Sequence, residues 1–373
     1  MIYLDNGATS LHKPPQVHRA VARALRTCAN PGRGGHPAAM AAAEAVYHCR
    51  SSAARLFHCL PEQVVITSNC THGLNMAIAT LVRPGDKVAI SGFEHNAVVR
   101  PLHALGAEIL VCGRRLFDQE DTLREFEQAL AQGAKVVVCT HVSNVFGYIL
   151  PVRRIARLCR EYDVPLIVDA AQSAGALEVD LQALGAAFIA MPGHKGLLGP
   201  QGTGLLLCGQ VPEPILYGGT GSYSLPRTMP EHLPDRAEAG TMNVPGIAGL
   251  AAGLDCLHRA GIDTIARRAR TQAQAAARGL EKLGFRVFHG KDQLGTVSFI
   301  PPMDCQEAEA ALSKRGIALR AGLHCAPLAH ESAGTLDTGT LRASFGHDAC
   351  PAQTRALLEG AAALHCTSKE KEA

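Results

Sequence analysis

The chain has 373 residues, of which 47% are hydrophobic and 18% charged, and its formal net charge is +3. This is the make-up of a globular protein with room for one large domain and a smaller one; it excludes a disordered chain, and so small a charge implies no nucleic acid or other polyanionic partner. No apolar run approaches the roughly 18 residues of a membrane span, and the N-terminus Met1-Ile-Tyr-Leu-Asp5 lacks the basic-then-apolar pattern of a signal peptide, so no membrane association and a cytoplasmic location are expected. The 13 cysteines are scattered and include no Cys-x-x-Cys pair. Neither a metal site nor a disulfide framework is therefore indicated, and Cys139, Cys159 and Cys208 read as small buried hydrophobes.

Between residues 64 and 208 short β-rich runs alternate with helical patterns. The expected strands are 64–67, 87–90, 108–112, 135–139, 166–169, 187–190 and 204–208, with 3.6-residue periodicity in 123–130 and 152–162. Strands apolar on both faces and separated by helices predict a mostly parallel sheet covered on both sides. Ligands of such sheets sit beyond the C-terminal strand ends. After a Gly/Pro-rich stretch, 209–245, a long Ala- and Arg-rich helical pattern spans 247–283 with a break near Gly261. Strands are then expected at 286–288, 296–300 and 341–345, with helices at 306–315 and 352–364. The prediction is an α/β chain with a large domain over 15–245. A smaller α+β domain would comprise 246–373 and the returning N-terminal arm, 1–14. The polar tail from Thr367 is expected to fray.

Two segments carry the first chemical signal. Pro165-Leu-Ile-Val-Asp-Ala-Ala-Gln172 delivers Asp169 to the end of a buried strand, with Gln172 just beyond it. Phe188-Ile-Ala-Met-Pro-Gly-His-Lys-Gly196 displays Lys195 in a glycine-bracketed turn beside His194. Taken alone, a loop lysine is more often simply solvated. Paired with a strand-end carboxylate, it is what a pyridoxal phosphate site needs: an amine to bond the cofactor and an acid to keep its ring nitrogen protonated. Asn69-Cys-Thr-His-Gly73 opens a helix whose N-terminus can hold an anion, or can simply be capped by Asn69 or Thr71. His95, after another strand, can stack on a cofactor ring, and Asn144 can hold a ring oxygen or a substrate carboxylate. Each is weak alone, yet all of them converge on strand ends.

In the second domain, Leu319-Arg-Ala-Gly-Leu-His-Cys-Ala-Pro327 sets Cys325 in a Gly/Pro-bounded loop, next to His324 and five residues after Arg320. Polar and cationic neighbours there favour a thiolate over a free thiol with its pKa of about 8.5. Arg342 lies within an apolar strand and needs an anion, either a structural carboxylate or a substrate carboxylate held bidentately.

Together these motifs resemble the class V aminotransferase-fold cysteine desulfurases, of the type II (SufS-like) branch that also contains selenocysteine lyases. The resemblance runs end to end, through Tyr3-Leu-Asp-Asn-Gly-Ala-Thr-Ser10, Asn30-Pro-Gly-Arg-Gly-Gly-His36, Glu94-His95, Val168-Asp-Ala-Ala-Gln172, Gly193-His-Lys-Gly196, Glu238-Ala-Gly-Thr241 and Arg320-Ala-Gly-Leu-His-Cys325. It implies the pyridoxal-phosphate-dependent transferase fold of type I, pyridoxal 5′-phosphate as cofactor, and conversion of L-cysteine to L-alanine with a persulfide left on Cys325. Lys195 would carry the cofactor as a Schiff base and remove the Cα proton, Asp169 would pair the ring nitrogen, and His95 would stack on the ring and shuttle a proton. Gln172 would contact the ring oxygen, with Cys70, Thr71 and His194 around the phosphate. Asn144 and Arg342 would bind the substrate carboxylate, with Arg320 and Arg33 also counted as substrate-binding. Thr241 and Arg33 would reach into the neighbouring subunit's site, which implies a homodimer with shared active sites. A protein acceptor for sulfur or selenium is a further expected partner.

The pattern departs from the family at Pro192, three residues before Lys195, where Ser or Thr usually bonds the phosphate. Cys70 and His72 also replace the commoner hydroxyl and acidic residues. Proline offers neither hydroxyl nor N–H, so the phosphate should lose one bond of roughly 1.5–3 kcal/mol unless Cys70, Thr203 or a water compensates. A selenocysteine lyase would use the same residues. An aminotransferase or epimerase would make Cys325 incidental, and a sulfur-carrier scaffold would need no cofactor.

Overall fold

The computed structural model describes the chain except residues 33, 223 and 373, and its side chains as far as residue 364. Strand β1 (Ile2–Tyr3) leads through an irregular arm into helices α1 (Pro15–Thr27) and α2 (Pro37–Phe57). The strand–helix alternation gives no sign of these two helices. Their local signal is a proline at the start of each, where its missing N–H is harmless, and the N-cap His36, whose Nδ1 accepts from the Ala39 N–H.

Then follow β2 (Val64–Thr67), α3 (Cys70–Leu81), β3 (Lys87–Ser91), α4 (Asn96–Ala104), β4 (Glu108–Cys112), α5 (Gln119–Ala131) and β5 (Val136–Thr140). Next come α6 (Val152–Glu161), β6 (Leu166–Asp169), α7 (Leu181–Leu184), β7 (Phe188–Pro192) and β8 (Gly204–Cys208). Strands β2 to β8 form one seven-stranded sheet in the order β2-β8-β7-β6-β5-β3-β4. Neighbours are parallel except at β8, which runs antiparallel to both β7 and β2. The two-residue period of a strand divides its side chains between two cores. Val137, Cys139, Val168 and Ile189 pack with α2, α5 and α6, whereas Val136, Val138, Ile167 and Ala190 pack with α3 and α4. Burial on both faces is why these runs read as uniformly apolar. The parallel strands β3, β5, β6 and β7 end on one edge, and the loops that follow them carry His95, Asn144, Gln172 and Lys195.

The stretch after β8 is mostly irregular up to α8 (Val244–Ala260), and α9 (Ile262–Lys282) follows directly. Gly261 separates the two helices with a φ of 75°, a conformation that favours glycine. The rest comprises β9 (Arg286–Phe288), β10 (Thr296–Ile300), α10 (Cys305–Lys314), β11 (Ile317–Ala318), β12 (Arg320–Gly322), α11 (Pro327–Ala333), β13 (Thr340–Ser344) and α12 (Pro351–Glu372). An antiparallel sheet, β12-β13-β10-β9, packs Val297, Phe299, Leu341 and Ala343 against the alanine face of α9 and against α10 and α12. The N-terminal arm joins this second core: β1 pairs in parallel with β11, and Leu4 is fully buried there. The expected frayed tail is not seen, since α12 continues to Glu372. The segment after Thr367 is Lys- and Glu-rich and has no glycine or proline to stop a helix. Among the described residues no helix is long and apolar enough to cross a membrane.

Candidate active site

Asp169 ends β6 and is 3% exposed. Its Oδ1 accepts from the Ala171 N–H at 2.8 Å and from the Cys70 thiol at 3.5 Å. Both donors fall on one oxygen, so Oδ2 retains its lone pairs for another partner. Burial, and then Asp169 itself, push the Cys70 thiol well above its usual range, so it stays a protonated donor. Lys195 stands three residues beyond β7. Desolvation lowers its amine from the ordinary lysine value, while Asp169 and Cys70 pull the other way. Amine and carboxylate therefore feel each other in one desolvated pocket.

The lysine loop is held by the N-terminal arm. The Ser10 hydroxyl donates to the Lys195 carbonyl at 3.0 Å, and Lys13 Nζ donates to the His194 carbonyl at 2.8 Å. His194 Nδ1 lies 3.0 Å from Thr9 Oγ1; burial, then Lys195 and Lys13, bring its pKa down to about 4, so the ring is neutral at pH 7. Gln172 Nε2 donates to the Gly7 carbonyl at 2.9 Å.

His95 caps α4. The Ala97 N–H donates to its Nδ1 at 3.0 Å, which assigns the ring proton to Nε2. Burial lowers its pKa against the opposing pull of Asp169, so this ring too is neutral at pH 7. The preceding Glu94 had no role assigned from sequence. Its side chain is wholly buried, and Oε1 accepts from the Ser91 hydroxyl at 2.5 Å and from the Thr140 N–H at 2.7 Å. It thus ties the end of β3 to the end of β5. Burial pushes this acid up to about 8, and its Oε2 has no partner.

At the start of α3, Asn69 Oδ1 accepts from the His72 N–H at 2.9 Å, so the capping alternative is realised by Asn69. The N–H groups of Cys70 and Thr71 have no intramolecular acceptor among the described residues, and Thr71 is exposed. These donors, Asp169 and Lys195 fit a pyridine ring carrying an aldehyde and a phosphate. Pro192 ends β7 opposite Gly204. Because the Gly193 N–H donates to the Thr203 carbonyl, at 2.8 Å, the adjacent Pro192–Gly204 pair is a non-hydrogen-bonded one, and the missing N–H removes no bond to β8. Neither suggested substitute for the lost hydroxyl is idle. The Thr203 hydroxyl donates to the Pro200 carbonyl at 2.6 Å, and the Cys70 thiol is engaged by Asp169.

Cys325 alone among the described cysteines is exposed. Cys139, Cys159 and Cys208 are buried, as their settings predict, and burial raises all three thiols. His324 and Cys325 both adopt left-handed backbones, with φ of 50° and 57°. Each such non-glycine residue costs about 1–2 kcal/mol. Offsetting bonds hold the turn: the Asn96 N–H donates to the Cys325 carbonyl at 2.8 Å, and Asn144 Nδ2 to the His324 carbonyl at 2.7 Å. Asn96 opens α4 just beyond β3 and Asn144 lies in the loop after β5, so the Cys325 loop is docked on the sheet edge that carries Lys195.

The two neighbours expected to supply positive charge to Cys325 are otherwise engaged. The His324 ring turns inward, with Nε2 at 3.2 Å from the Thr340 carbonyl and hydroxyl. Burial, then Arg342, bring its pKa to about 2, so it supplies no positive charge. Arg320 is already paired with Asp5 at 3.2 Å. Arg342 is 2% exposed; one terminal nitrogen donates to the Asn144 carbonyl at 2.9 Å, the other to Asp5 Oδ1 at 2.7 Å, and Nε has no partner. The structural-carboxylate alternative is therefore realised for Arg342, by Asp5, which the sequence had not singled out as its partner.

Thr241 is exposed in a groove shared with Thr67, Ser68, His72 and Thr203. Its loop is anchored by Glu238, which pairs with the buried Arg50 at 2.5 Å and accepts from the Ile66 N–H at 2.6 Å. Arg33 lies outside the described residues. Elsewhere His58, Glu178 and Asp180 bring ligand atoms within 4.8 Å of one another, with Glu178 paired to Arg153.

Residues 2–357 match the sequence profile of the class V aminotransferases. A probable cysteine desulfurase of Pyrococcus abyssi is 33% identical over 369 residues, covering 92% of this chain and 89% of the relative. One of Methanothermobacter thermautotrophicus is 32% identical over 360 residues, covering 92% and 90%. The apo cysteine desulfurase of Thermococcus onnurineus NA1 superposes with a TM-score of 0.88 at 31% identity, covering 96% of this chain and 93% of that one. A cysteine desulfurase of Escherichia coli in its S-sulfonic acid form gives 0.86 at 27% identity, covering 98% and 95%. The chain belongs to the class V aminotransferase family, among relatives named as cysteine desulfurases, and has the type I α/β fold of pyridoxal-phosphate-dependent transferases.

Proposed function

We propose that this protein is a pyridoxal-phosphate-dependent cysteine desulfurase, a cytoplasmic homodimer that converts L-cysteine to L-alanine and receives the sulfur on Cys325. The observation that carries the proposal is the docking of Cys325, the one exposed cysteine among the described residues, through Asn96 and Asn144 onto the sheet edge that also carries Lys195 and Asp169. Lys195 would hold the cofactor through its amine, Asp169 Oδ2 the ring nitrogen, Gln172 the ring oxygen, and Thr71, His194 and the free N–H groups of α3 the phosphate. When bound, pyridoxal phosphate withdraws electrons from the amino acid's Cα, so that a Cα proton and then the C–S bond can be released.

The chain's own residues supply the remainder. Desolvation favours a neutral Lys195 amine, the form that can accept the Cα proton and return one to the product. His95 presents Nε2–H as a donor, held in that tautomer by the Ala97 N–H. Arg342 and Asn144 orient the substrate carboxylate. The Cys325 thiolate attacks the substrate sulfur; an S–S bond forms as the C–S bond breaks, the C–S pair stays with the substrate carbon skeleton, and that carbon takes a proton to give alanine. Thr241 and Arg33 would complete the partner subunit's site, and an acceptor protein would take sulfur from Cys325.

A selenocysteine lyase is the second reading. It is favoured by the uncharged His324 ring and the pairing of Arg320 with Asp5, since a C–Se bond breaks without a well-activated thiolate. Turnover of L-cysteine and L-selenocysteine by the loaded protein, measured as alanine, separates the two. Cysteine turnover lost in Cys325→Ala supports the desulfurase. Cysteine inert and selenocysteine turned over by both proteins establishes the lyase.

A further inference from the structure

We propose that Asp5 is a positioning and specificity-determining residue, which bridges Arg320 and Arg342 and so leaves the carboxylate-binding corner with one net positive charge, suited to a substrate bearing a single acid group. The inference deepens the desulfurase reading and rests on it for the identity of the amino acid. Asp5 Oδ1 lies 2.7 Å from one terminal nitrogen of Arg342, and Oδ2 lies 3.2 Å from Arg320. Two guanidinium groups thus share one carboxylate.

The N-terminal arm is built to hold this bridge. Asp5 makes a parallel β-bridge with Ser344, and the Tyr3 hydroxyl donates to the carbonyls of Asp5, at 3.1 Å, and Thr9, at 2.8 Å. The Gly7 N–H donates to Ser344 Oγ at 2.7 Å. A Cβ on Gly7 would sit 3.2 Å from Arg342 Cζ, so glycine lets the arm lie against the guanidinium. With its terminal nitrogens engaged by Asp5 and the Asn144 carbonyl, Arg342 is fixed in one orientation, and its buried Nε–H is still unpartnered. A planar guanidinium held this way presents its remaining donors to one carboxylate in a fixed fork. A second acid group would find Arg320 already paired with Asp5.

The test uses the pyridoxal-phosphate-loaded protein and two probes, L-alanine with one carboxylate and L-aspartate with two, each titrated by its effect on cofactor absorbance. Asp5→Asn leaves two cations uncompensated and should raise the aspartate-to-alanine affinity ratio about tenfold, whereas Arg320→Gln should lower it by a similar factor. In turnover, Asp5→Asn should raise the KM for L-cysteine more than it lowers kcat. A purely structural arm would weaken both probes together, leaving the ratio unchanged. A ratio constant within about twofold in both variants, or moving the same way in both, overturns the proposal. If Asp5→Asn does not retain cofactor, Arg320→Gln decides alone, and an unlowered ratio is then the refutation. Because both probes are read by binding, a wild-type protein that makes no alanine from cysteine would sink the desulfurase reading without deciding the role of Asp5.

Discussion

Replacing Glu94 by glutamine perturbs one buried acid whose environment is fully defined. The side chain is inaccessible, two donors converge on Oε1, and Oε2 has none. Burial moves the folded-state pKa from 4.5 to about 8. Between those two values the folded chain keeps a proton that the unfolded chain releases, so stability falls as pH rises. The favourable contribution is complete below the unfolded value and is lost as pH passes through the folded one. At about 1.4 kcal/mol per pH unit, the whole displacement is worth about 3–5 kcal/mol. Glutamine keeps the Oε1 acceptor and cannot ionise. The new amide N–H group sits where Oε2 had no partner, a penalty of about 1–3 kcal/mol that does not vary with pH. Urea unfolding followed by circular dichroism, from about pH 5 to pH 9, should therefore show a steep decline for the wild type and a flatter one for Glu94→Gln, with the two converging or crossing near the alkaline end. Parallel curves across that range would show that Glu94 does not hold its proton in the folded state, and the reasoning would fail.

Pro192→Ser restores a hydroxyl beside the lysine loop where Thr203 and Cys70 are already engaged. It should tighten pyridoxal phosphate by about tenfold or more in an equilibrium titration; an unchanged Kd would mean the phosphate is fully held already. Asn144→Ala removes the bond to the His324 carbonyl that helps hold two left-handed residues. Losing it should cost the loop about 1–3 kcal/mol and slow sulfur transfer to Cys325 about tenfold or more, with the cofactor's absorbance retained. A normal transfer rate would show that the loop is docked by its other contacts. Lys195→Ala should abolish the visible absorbance of the bound cofactor; a surviving band would remove Lys195 from its assigned role.

The large sheet was legible because strands buried on both faces betray themselves as unbroken apolar runs. Strand ends in a parallel sheet must then converge, which is why Asp169, Lys195 and His95 could be grouped from sequence alone. Cys325 stood out by its Gly/Pro-bounded loop, and among the described cysteines it is the exposed one. Sequence neighbours were a poor guide to its electrostatics. Adjacency cannot tell on which side a ring lies, and the left-handed turn carries His324 into the core. Asp5 was hidden for another reason, since one of its arginine partners, Arg342, lies 337 residues away and is brought to it only by the returning N-terminal arm. Glu94 and Glu238 entered the sequence reading only as motif members, with no role assigned. Their burial follows from contacts with Thr140 and Arg50 that no local pattern encodes.

The most direct test of the proposed activity is mass spectrometry of the pyridoxal-phosphate-loaded protein after incubation with L-cysteine and no other thiol. The prediction is one added sulfur atom on the peptide carrying Cys325, with alanine released in equal amount. A keto acid or racemised cysteine in place of alanine, or alanine formed with Cys325 unmodified, would contradict it.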